Sequence, residues 1–532
     1  MKFKKLAALF LAACLAVSIT ACGGGTTTES TATGSGTSEG GSTGGGTFIV
    51  NIGADPTTFN PVLKGDDDGH LIYQNVFDSL VALNINSEVV PGLAETWEVS
   101  DDGLTYTFHL AQGVKWHDGE PFSSEDVKYT YEKIMAENGF IAASLTAVVE
   151  SIECPDENTV VLHLSTPDST LLGTLAWYEC FIIPKHIYEN EADWSTCEAA
   201  TSHPIGTGAF KFVEYNPGSS IVLEKNPDYF KGAPAIDKLI YSVIPDDNTA
   251  LQAFYNGEID LLTGVPNSEV PAMEQDPDIK LGVMTAARRY QLICNMENEI
   301  MSKWEVRKAI ALGIDREEIS QKGTNGLQAP AYGFYPPFLD WAYNADADIG
   351  ERDVAKAQEL LEQAGYTKDA NGMYLSITLD VFSGGTYGDC AKVIASNLKE
   401  VGIDVQVNIM EMAAWSEKIE SGNYELGMMA GYQGPDPDAI SKRIGTGAVM
   451  NYSNYSNPKV DELLAQGKVL VTEEDRGACY KEVQAILAED LPIIPVVEFA
   501  NYYACHSNIS GVPYIDNVTD VHDSNYSKVV IN

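Results

Sequence analysis

One stretch of the chain, residues 374–410, constrains its fold more than any other. Two runs rich in apolar and β-branched residues, YLSITLDVF and IDVQVNIM, flank TYGDCAKVIASNLKEVG, whose apolar residues recur at helical spacing. Two strands joined by a crossover helix form a parallel βαβ unit, so this stretch predicts an α/β fold. The loop that leaves the first strand, FSGGTYG at 382–388, is small and Gly-rich, and loops at that position are favoured for ligand binding.

Strands and helices alternate along the rest of the chain. LTYTFHL at 104–110 alternates in polarity like a half-buried strand, and residues 210–226 predict a hairpin that turns at Pro217 and Gly218. The stripe of apolar residues in 351–366 predicts a helix that stops at Gly365. Two helix starts are predicted by capping pairs spaced three residues apart: Ser123 with Asp126, and Asp315 with Glu318.

The first 46 residues predict export and membrane attachment. Residues 1–21 combine three lysines with a short apolar run, which is typical of a secretory signal. The run closes on ITAC, which resembles the lipobox of bacterial lipoproteins, so we expect Cys22 to carry a diacylglyceryl group. Residues 22–46 contain no large apolar side chain after Cys22 and predict a disordered tether with a reach of roughly 25–30 Å.

The composition excludes one class of partner. With 33 Lys and Arg against 76 Asp and Glu, the chain has a formal net charge of −43. Such a charge repels nucleic acid and anionic lipid headgroups, so we expect no nucleic-acid partner. The lipid would then have to hold the protein at the membrane without electrostatic help.

Local motifs of enzymes and cofactor sites are missing from the sequence. HExxH, GxSxG, the P-loop and a helix-opening GxGxxG do not occur, and the eight His are scattered. GDDDGH at 65–70 lacks the spacing of a calcium loop and predicts a solvated loop. We therefore expect no catalytic activity, no metal and no cofactor. Seven of the nine Cys lie beyond the tether, and Cys180 with Cys197 is the one pair that we would test for a disulfide.

Several segments, in order, resemble one family. They are DPTTFNPV, LAETWEVSDDGLTYTFHLAQGVKWHDGEPFSSEDVKYTYEKI, HPIGTGAFKF, NPDYF, IPDDNTALQAFYNGEIDLL, VRKAIALGIDREEI, AQELLEQAGY and LKEVGIDVQV. Together they are similar to the extracytoplasmic solute-binding proteins of ABC importers, of the peptide/nickel type. The resemblance covers nearly the whole chain after the tether.

The resemblance implies a two-lobed periplasmic-binding-protein-like fold of type II, with an extra inserted domain and a hinge between the lobes. The boundaries it implies are 47–87, 201–287 and 494–532 for a discontinuous lobe I, 88–200 for the inserted domain II, and 288–493 for lobe III. It also implies a peptide or small-molecule ligand held between the lobes, and docking of the closed form on ABC permease subunits. We expect a monomer, anchored at the outer face of the cytoplasmic membrane.

The loop AGYQGPDPDAI, residues 430–440, is where the sequence departs from the peptide-binding branches of that family. Those branches carry a Trp and, three residues later, an Asp that pairs with the peptide's free ammonium; here the two positions hold Ala430 and Gln433. Tyr432 and Gln433 are candidate ligand-binding residues because they offer an aromatic face and neutral hydrogen bonds. Asp436 can replace the missing acid, or Asp436 and Asp438 can simply cap the turn and the helix that follows.

Other candidate residues come from three further segments. Ser383 and Gly384 lie in the loop after the first βαβ strand, where the dipeptide-binding branch has an Arg that pairs with the ligand carboxylate and this chain has none. Trp415 matches a family Trp that lines the cleft, although a core Trp fits the sequence nearly as well. Arg289 and Tyr290 begin a strand that crosses toward the third domain, where Arg289 either meets a ligand carboxylate or simply faces solvent.

Three functions are compatible with this reading to different degrees. The first is a lipid-anchored binding protein for a peptide or, given the missing clamps, for an oligosaccharide or another small solute. The second is a secreted hydrolase on the same tether, for which the sequence supplies neither a nucleophile–base pair nor a metal cluster. The third is a surface receptor that senses its ligand instead of importing it.

Overall fold

In the computed structural model, the described residues are 45–63, 66–137, 140–177, 179–285, 288–336, 338–432, 434 and 436–532. Of Phe140 and Tyr432 only the backbone is described. Cys22, the leader and almost all of the predicted tether therefore lie outside the described residues.

A seven-stranded mixed sheet is built from distant parts of the chain. The strand Thr47–Ile52 lies at its centre and pairs in parallel with Lys238–Val243, residue for residue. The predicted hairpin is confirmed, with Gly218 in the turn at φ +72°, a conformation that glycine adopts without strain. The strands are ordered across the sheet as Ile279–Met284, Asn501–His506, Leu261–Leu262, Thr47–Ile52, Lys238–Val243, Ser220–Lys225 and Phe210–Asn216.

A five-stranded sheet contains the predicted βαβ unit. Leu375–Phe382 and Ile403–Met410 pair in parallel from Leu375 opposite Ile403 onward, and the helix Tyr387–Val401 connects them. That helix ends at Gly402, whose φ of +100° is a left-handed cap. The prediction of an α/β unit at this point is confirmed. The strands are ordered as Ile403–Met410, Leu375–Phe382, Leu426–Tyr432, Arg288–Cys294 and Ile493–Glu498.

A four-stranded antiparallel sheet lies between residues 94 and 164. In its strand Thr105–Leu110 the predicted alternation is confirmed, because Tyr106, Phe108 and Leu110 are buried on one face. The strands are ordered as Ala94–Val99, Thr105–Leu110, Thr159–Leu164 and Val149–Asp156. Two small pairs complete the strands of the described chain: Val81–Leu83 with Val89–Pro91, and Ile509–Ser510 with Val530–Ile531.

Helices cover these sheets. The α-helices of the described chain are Asp67–Val76, Ser124–Ala136, Phe140–Val148, Leu171–Leu175, Lys185–Tyr188, Glu198–Thr201, Asp247–Tyr255, Val270–Met273, Trp304–Gly313, Arg316–Gly323, Val354–Gln363, Tyr387–Val401, Met412–Glu420, Ser441–Ile444, Pro458–Val469, Glu473–Asp490 and Pro513–Asp516. Two 3-10 helices, Ala345–Ala347 and Pro437–Ile440, complete them. Both capping pairs predicted from sequence are confirmed at the starts of their helices.

One local prediction was wrong. The acidic run at 65–70 was expected to be a solvated loop, but the helix Asp67–Val76 begins inside it. Asp66 caps that helix by accepting a hydrogen bond from the amide of Gly69 at 2.7 Å. Carboxylates at these positions are compatible with a solvated loop, but they can also accept hydrogen bonds from the first amides of a helix. The burial of Ile72 and Val76 favours the helix.

The chain crosses between the seven-stranded and five-stranded sheets at two places. One crossing runs from Met284 to Arg288 and the other from Glu498 to Asn501. The crossings are tied together, because the amide of Phe499 donates to the carbonyl of Arg288 at 3.0 Å. The Arg288 guanidinium also lies 5.9 Å from the centre of the Phe499 ring. Two short paired crossings are the geometry of a hinge.

The cysteine prediction was also wrong. Cys180 and Cys197 are both free thiols, as are the other five Cys of the described chain. Cys180 is fully buried, whereas the Cys197 thiol contacts the carbonyl of Trp194. Within the described residues no group of three or more His, Cys, Asp or Glu could hold a metal ion. No helix in this part of the chain combines the length and the apolar character that a membrane span needs.

Candidate functional site

A cavity of about 140 Å³ lies between two walls that are far apart in sequence. One wall belongs to the helices beside the four-stranded sheet. The other is formed by the segment 434–442 and the end of the helix Pro458–Val469, which pack on the core of the five-stranded sheet. The lining residues are Ile141, Ser144, Thr170, Gly173, Thr174 and Trp177 on the first wall, and Gly434, Asp436, Asp438, Ala439, Ser441, Lys442 and Lys468 on the second.

Asp436 holds the second wall in place. It caps the 3-10 helix Pro437–Ile440 by accepting the amide of Asp438 at 2.9 Å. Both of its carboxylate oxygens also contact Nη2 of Arg476, at 2.8 and 2.7 Å. Arg476 is buried, and its Nε donates to the carbonyl of Gly467 at 2.9 Å. Charge-assisted bonds of this kind position a loop firmly.

Asp438 faces the same cavity but is held less tightly. Its Oδ2 accepts a hydrogen bond from the Ser441 hydroxyl at 3.3 Å. Burial, followed by the negative charge of Asp436, raises the pKa of Asp438 to about 7. The raised pKa brings the titration of the Asp438 carboxyl close to neutral pH, and any cation placed beside it would favour the ionised form.

Lys442 brings an amine to the same wall, one helical turn after Asp438. Burial, and then the positive charge of Arg443, lowers the pKa of Lys442 to about 8. One small cavity is thus lined by a carboxyl group, Asp438, and an amine, Lys442, whose pKa values are both shifted toward neutral pH by burial.

A short clasp joins the two walls at the edge of the cavity. The amide and the hydroxyl of Ser169 both donate to the carbonyl of Lys468, at 3.0 and 2.9 Å. The Lys468 ammonium pairs in turn with Asp168 at 3.1 Å. Asp168 is only 5% exposed and also accepts the amide and hydroxyl of Thr170. These contacts bring the walls together and border the cavity, since Thr170 and Lys468 line it.

A second cavity, of about 310 Å³, lies next to the hinge. It is lined by residues of both crossings, including Met284, Arg288, Phe499 and Asn501. Trp177 lines both cavities, so the two cavities adjoin at this residue. The remaining lining residues are Asp67, Asp68, His70, Leu71, Gln74, Leu83, Asn84, Ile85, Ser87, Thr263, Tyr503, Tyr514, Asp523 and Ser524.

Arg289 and Tyr290 lie in the protein interior. The Arg289 side chain is completely buried, contacts Glu498 at 3.2 Å and donates to the carbonyl of Gly333. Tyr290 is 2% exposed and its ring stacks on Tyr387 at 4.0 Å. Arg289 neither faces solvent nor lines either of the two cavities.

Trp415, Ser383 and Gly384 lie beside the βαβ unit. Trp415 is 5% exposed, and its Nε1 donates to the carbonyl of Asp380 at 3.2 Å, which is the position of a core Trp. Ser383 and Gly384 are exposed in the loop after the first strand, with Gly384 at φ +116°. None of the three is among the residues that line the two cavities.

The loop 430–440 is described only in part. Ala430 pairs with Tyr290 in the five-stranded sheet, and the backbone of Tyr432 pairs with Arg288. Gln433 lies outside the described residues, as does the side chain of Tyr432. Among the candidate residues chosen from the sequence, Asp436 is the one that the described structure brings to the first cavity.

Several cavity residues were missed by the sequence reasoning. Asp438 was interpreted only as a cap, yet Asp436 is the residue that caps, and Asp438 faces the cavity. Lys442, Lys468 and Trp177 carried no local signal, because the two lysines lie in ordinary helices and Trp177 lies just after the helix Leu171–Leu175. Only the approach of segments nearly 300 residues apart makes them neighbours.

The described wall residues can bind a polar molecule with a charged group. They offer carboxylate, amine and hydroxyl groups for hydrogen bonds, and the Trp177 indole for apolar or stacking contact. A concave cavity with a few polar groups at fixed positions is the usual form of a small-ligand site.

The chain is similar over its length to proteins of known type. Residues 88–452 match the family model described as bacterial extracellular solute-binding proteins, family 5 middle. The oligopeptide-binding protein AppA of Bacillus subtilis (strain 168) is 30% identical over 536 residues, with 97% of each chain covered.

Two solved structures are similar in fold. The periplasmic binding protein DppA of Helicobacter pylori, in complex with the peptide STSA, is 27% identical with a TM-score of 0.78, and the match covers 92% of this chain and 98% of DppA. The binding protein AgaA of A. tumefaciens R10, in complex with agropinic acid, is 28% identical with a TM-score of 0.75. This match covers 92% of this chain and 99% of AgaA. These matches confirm the predicted two-lobed periplasmic-binding-protein fold.

Proposed function

Because the chain belongs to the bacterial extracellular solute-binding proteins of family 5, we propose that it captures a peptide between its two lobes. The closed form would then deliver the peptide to the transmembrane subunits of an ABC importer. The observation that carries this proposal is the cavity between the walls at 141–177 and 434–468, with ionisable groups inside and a clasp at its edge.

The relatives support a peptide as the ligand class. AppA is named an oligopeptide-binding protein, and the H. pylori structure contains a bound peptide. Peptides offer a charged end and a row of backbone amides, which suit a cavity lined by carboxylate, amine and hydroxyl groups. The adjoining cavity beside the hinge would accept the rest of the chain.

The candidate residues enter this proposal with different roles. Tyr432 and Gln433 remain the proposed contacts to the ligand backbone, and Asp436 is proposed to position the wall through Arg476. Ser383 and Gly384 are proposed to approach the ligand from the loop of the βαβ unit. Arg289, Tyr290 and Trp415 are proposed to act indirectly, by supporting the strands beneath the site.

We also propose the domain boundaries implied by the resemblance. They are 47–87, 201–287 and 494–532 for lobe I, 88–200 for the inserted domain and 288–493 for lobe III. Limited proteolysis of the purified protein checks them. Early cuts should fall near residues 88, 200 and 287 and, for the last boundary, just after the strand Ile493–Glu498, where the chain leaves the five-stranded sheet. Cuts inside the sheets would contradict the division.

A lipid anchor at Cys22 is proposed to keep the protein on the outer face of the cytoplasmic membrane. Two acyl chains are enough for stable attachment, and the net charge of −43 offers no electrostatic alternative. Cys22→Ser should move the protein from the membrane fraction to the soluble fraction. Cys14→Ser is the matched control and should leave it membrane-bound, whereas wild-type protein found in the soluble fraction would contradict the anchor.

A non-peptide ligand is the second candidate, because Ala430 and Gln433 replace the family's Trp and Asp and because AgaA was solved with agropinic acid. Native mass spectrometry of the purified protein, followed by identification of the released molecule, separates the two. A mixture of peptides would support the first candidate. A single non-peptide mass would overturn it in favour of the second.

A further inference from the structure

We infer that Asp438 binds the protonated amino group of the ligand, and that the rest of the ligand runs past Trp177 toward the hinge. This inference rests on the proposed function. It assigns to Asp438 a specificity role that the sequence analysis considered only for the family's acid position, which is Gln433 here, and for Asp436.

The first step is that Asp436 is already engaged. Both of its oxygens contact the buried guanidinium of Arg476, and it also accepts the amide of Asp438. A ligand cation would have to displace Arg476, which would leave a buried positive charge without its partner and cost several kcal/mol. Asp436 is therefore a poor cation-binding group.

The second step is that Asp438 has unused capacity. A carboxylate can accept about four hydrogen bonds. Within the described residues the Asp438 side chain accepts a hydrogen bond from Ser441 at 3.3 Å, which is long for a hydroxyl donor. The Asp438 carboxyl lines the cavity directly. It is thus the better placed of the two acids on this wall to accept N–H groups from a ligand.

The third step concerns the charges that face Asp438 from neighbouring elements. Asp436 and Arg476 form one ion pair, and Lys468 and Asp168 form another. The opposite charges of each pair therefore largely cancel. Lys442 lines the same cavity and interacts with Asp438, whose negative charge raises the pKa of Lys442 against the larger lowering by burial. Tyr335 and Tyr480 are near enough for the charge of Asp438 to raise their pKa values. A ligand ammonium would therefore share the Asp438 carboxylate with Lys442. A ligand ammonium would add a positive charge at the carboxyl that is least compensated by these pairs.

The fourth step gives the ligand its direction. Ser144, Thr170 and Thr174 line the wall opposite Asp438, and Trp177 joins this cavity to the larger one beside the hinge. If the amino end of the ligand binds at Asp438, the rest of a longer ligand can continue past Trp177 into the larger cavity. The smaller cavity thus takes the end of the ligand and the larger one takes its body.

Affinity should then depend on pH in a definite direction. A bound ammonium favours ionised Asp438, whose pKa in the empty site is about 7. The affinity therefore rises toward its full value as the pH rises well above 7, and it falls as the pH drops below 7, by up to about tenfold per pH unit. It also falls at high pH, once the ligand amino group, with a pKa near 8, loses its proton.

The test uses alanine peptides of two to five residues and the same peptides with an acetylated amino end. Isothermal titration at pH 7.5 and 5.5 compares the wild type, Asp438→Asn and the control Asp346→Asn. Asp346 is an exposed acid that lines neither of the two cavities. We expect the wild type to prefer free peptides about 10- to 100-fold, which is typical of one charged hydrogen-bonded contact.

Asp438→Asn should remove most of that preference while leaving the acetylated peptides unaffected, so that their binding also shows that the variant is folded. It should likewise flatten the fall in affinity toward pH 5.5, and Asp346→Asn should change nothing. Equal weakening of both peptide classes, or no change at all, would overturn the role of Asp438 and leave the proposed function intact. Failure of the wild type to bind any of the peptides would overturn the peptide proposal, and the ammonium site with it.

Discussion

At the level of single residues, the structure distinguishes charged side chains that can contact a ligand from charged side chains that stabilise the fold. Arg289 was a candidate for meeting a ligand carboxylate, yet its guanidinium is completely buried against Glu498, which is 24% exposed. Burial lowers the pKa of Arg289, and Glu498 partly offsets that effect. An ion pair in this position joins the strand Arg288–Cys294 to Ile493–Glu498, directly after the hinge crossings. Its role is to hold the hinge end of the sheet.

Arg289→Ala should lower the free energy of unfolding by about 3 kcal/mol or more, because it leaves Glu498 without its partner in a partly buried site. The double variant Arg289→Met with Glu498→Leu should recover most of that loss, since apolar side chains of similar size fill the space. Urea unfolding followed by circular dichroism measures both.

The control for this prediction is Lys392→Ala. Lys392 contacts Asp389 at 2.8 Å, and both side chains are more than 60% exposed, so the expected loss is below about 1 kcal/mol. A loss at Arg289 no larger than that of the control, together with weaker binding of acidic ligands, would instead assign Arg289 to the ligand.

At the level of elements, the contact between the two walls depends on a few backbone groups. The carbonyl of Lys468, one residue from the end of the helix Pro458–Val469, accepts both donors of Ser169. Helix C-termini leave carbonyls without intrahelical partners, so this one is available for a contact across the cleft. The clasp therefore uses a free backbone carbonyl, which every helix C-terminus supplies. The relative position of the two walls determines that this carbonyl contacts Ser169.

Loosening the clasp should weaken every ligand by a similar factor, because it lowers the population of the closed form and not the contacts to a particular ligand. We expect Lys468→Ala combined with Ser169→Ala to reduce affinity about 5- to 10-fold for free and acetylated peptides alike. Small-angle X-ray scattering should show a larger radius of gyration for the ligand-free variant.

The control for the clasp is Lys459→Ala in the same helix, whose ammonium lies 3.4 Å from the exposed Glu462 and which should change neither measurement. A loss confined to peptides with a free amino end would show that Lys468 acts on the ligand and not on closure. An unchanged radius of gyration would show that other contacts hold the lobes together.

At the level of the whole molecule, buried histidines set its response to acid. His522 is 9% exposed, and neither of its ring nitrogens has a hydrogen-bond partner among the described residues. Burial, and then the positive charge of Lys231, lowers the pKa of His522 to about 3, and burial lowers the pKa of His117 to about 4. Both His remain neutral in the folded protein and become protonated in the unfolded chain below its usual pKa of about 6.5.

The sign of the effect follows from the depressed pKa values. The unfolded chain binds more protons than the folded protein below about pH 6.5, so stability falls as the pH drops from there toward the folded values. From pH 6.5 to 5, His522 alone should cost about 2 kcal/mol of unfolding free energy. His522→Phe should remove that part of the slope, because Phe fills a similar space beside Phe181 without titrating.

Urea unfolding of the wild type and His522→Phe at several pH values between 5 and 7.5 measures this contribution. His109→Phe is the control, since His109 is exposed and should leave the slope unchanged. Equal slopes for the wild type and His522→Phe would show that His522 keeps a normal pKa in the folded protein.

The sequence by itself determined the local elements of this protein and its family. The βαβ unit, the hairpin at Pro217 and Gly218 and the caps at Ser123 and Asp315 depend on periodicity and on hydrogen bonds between residues close in the chain. Where one local pattern satisfied two structures, as in the acidic run before the helix Asp67–Val76, the prediction failed.

Only the tertiary structure decided which residues surround the cavities. It turned Asp436 toward Arg476 and left Asp438 facing the cavity, although the two acids are two residues apart in one loop. It placed Trp177 beside Lys442 and Lys468, and it buried Arg289 and Trp415. Each outcome depends on which distant segment packs against a side chain. The ionisation, burial and hydrogen bonding of that side chain follow from this packing partner and not from the residues adjacent in sequence.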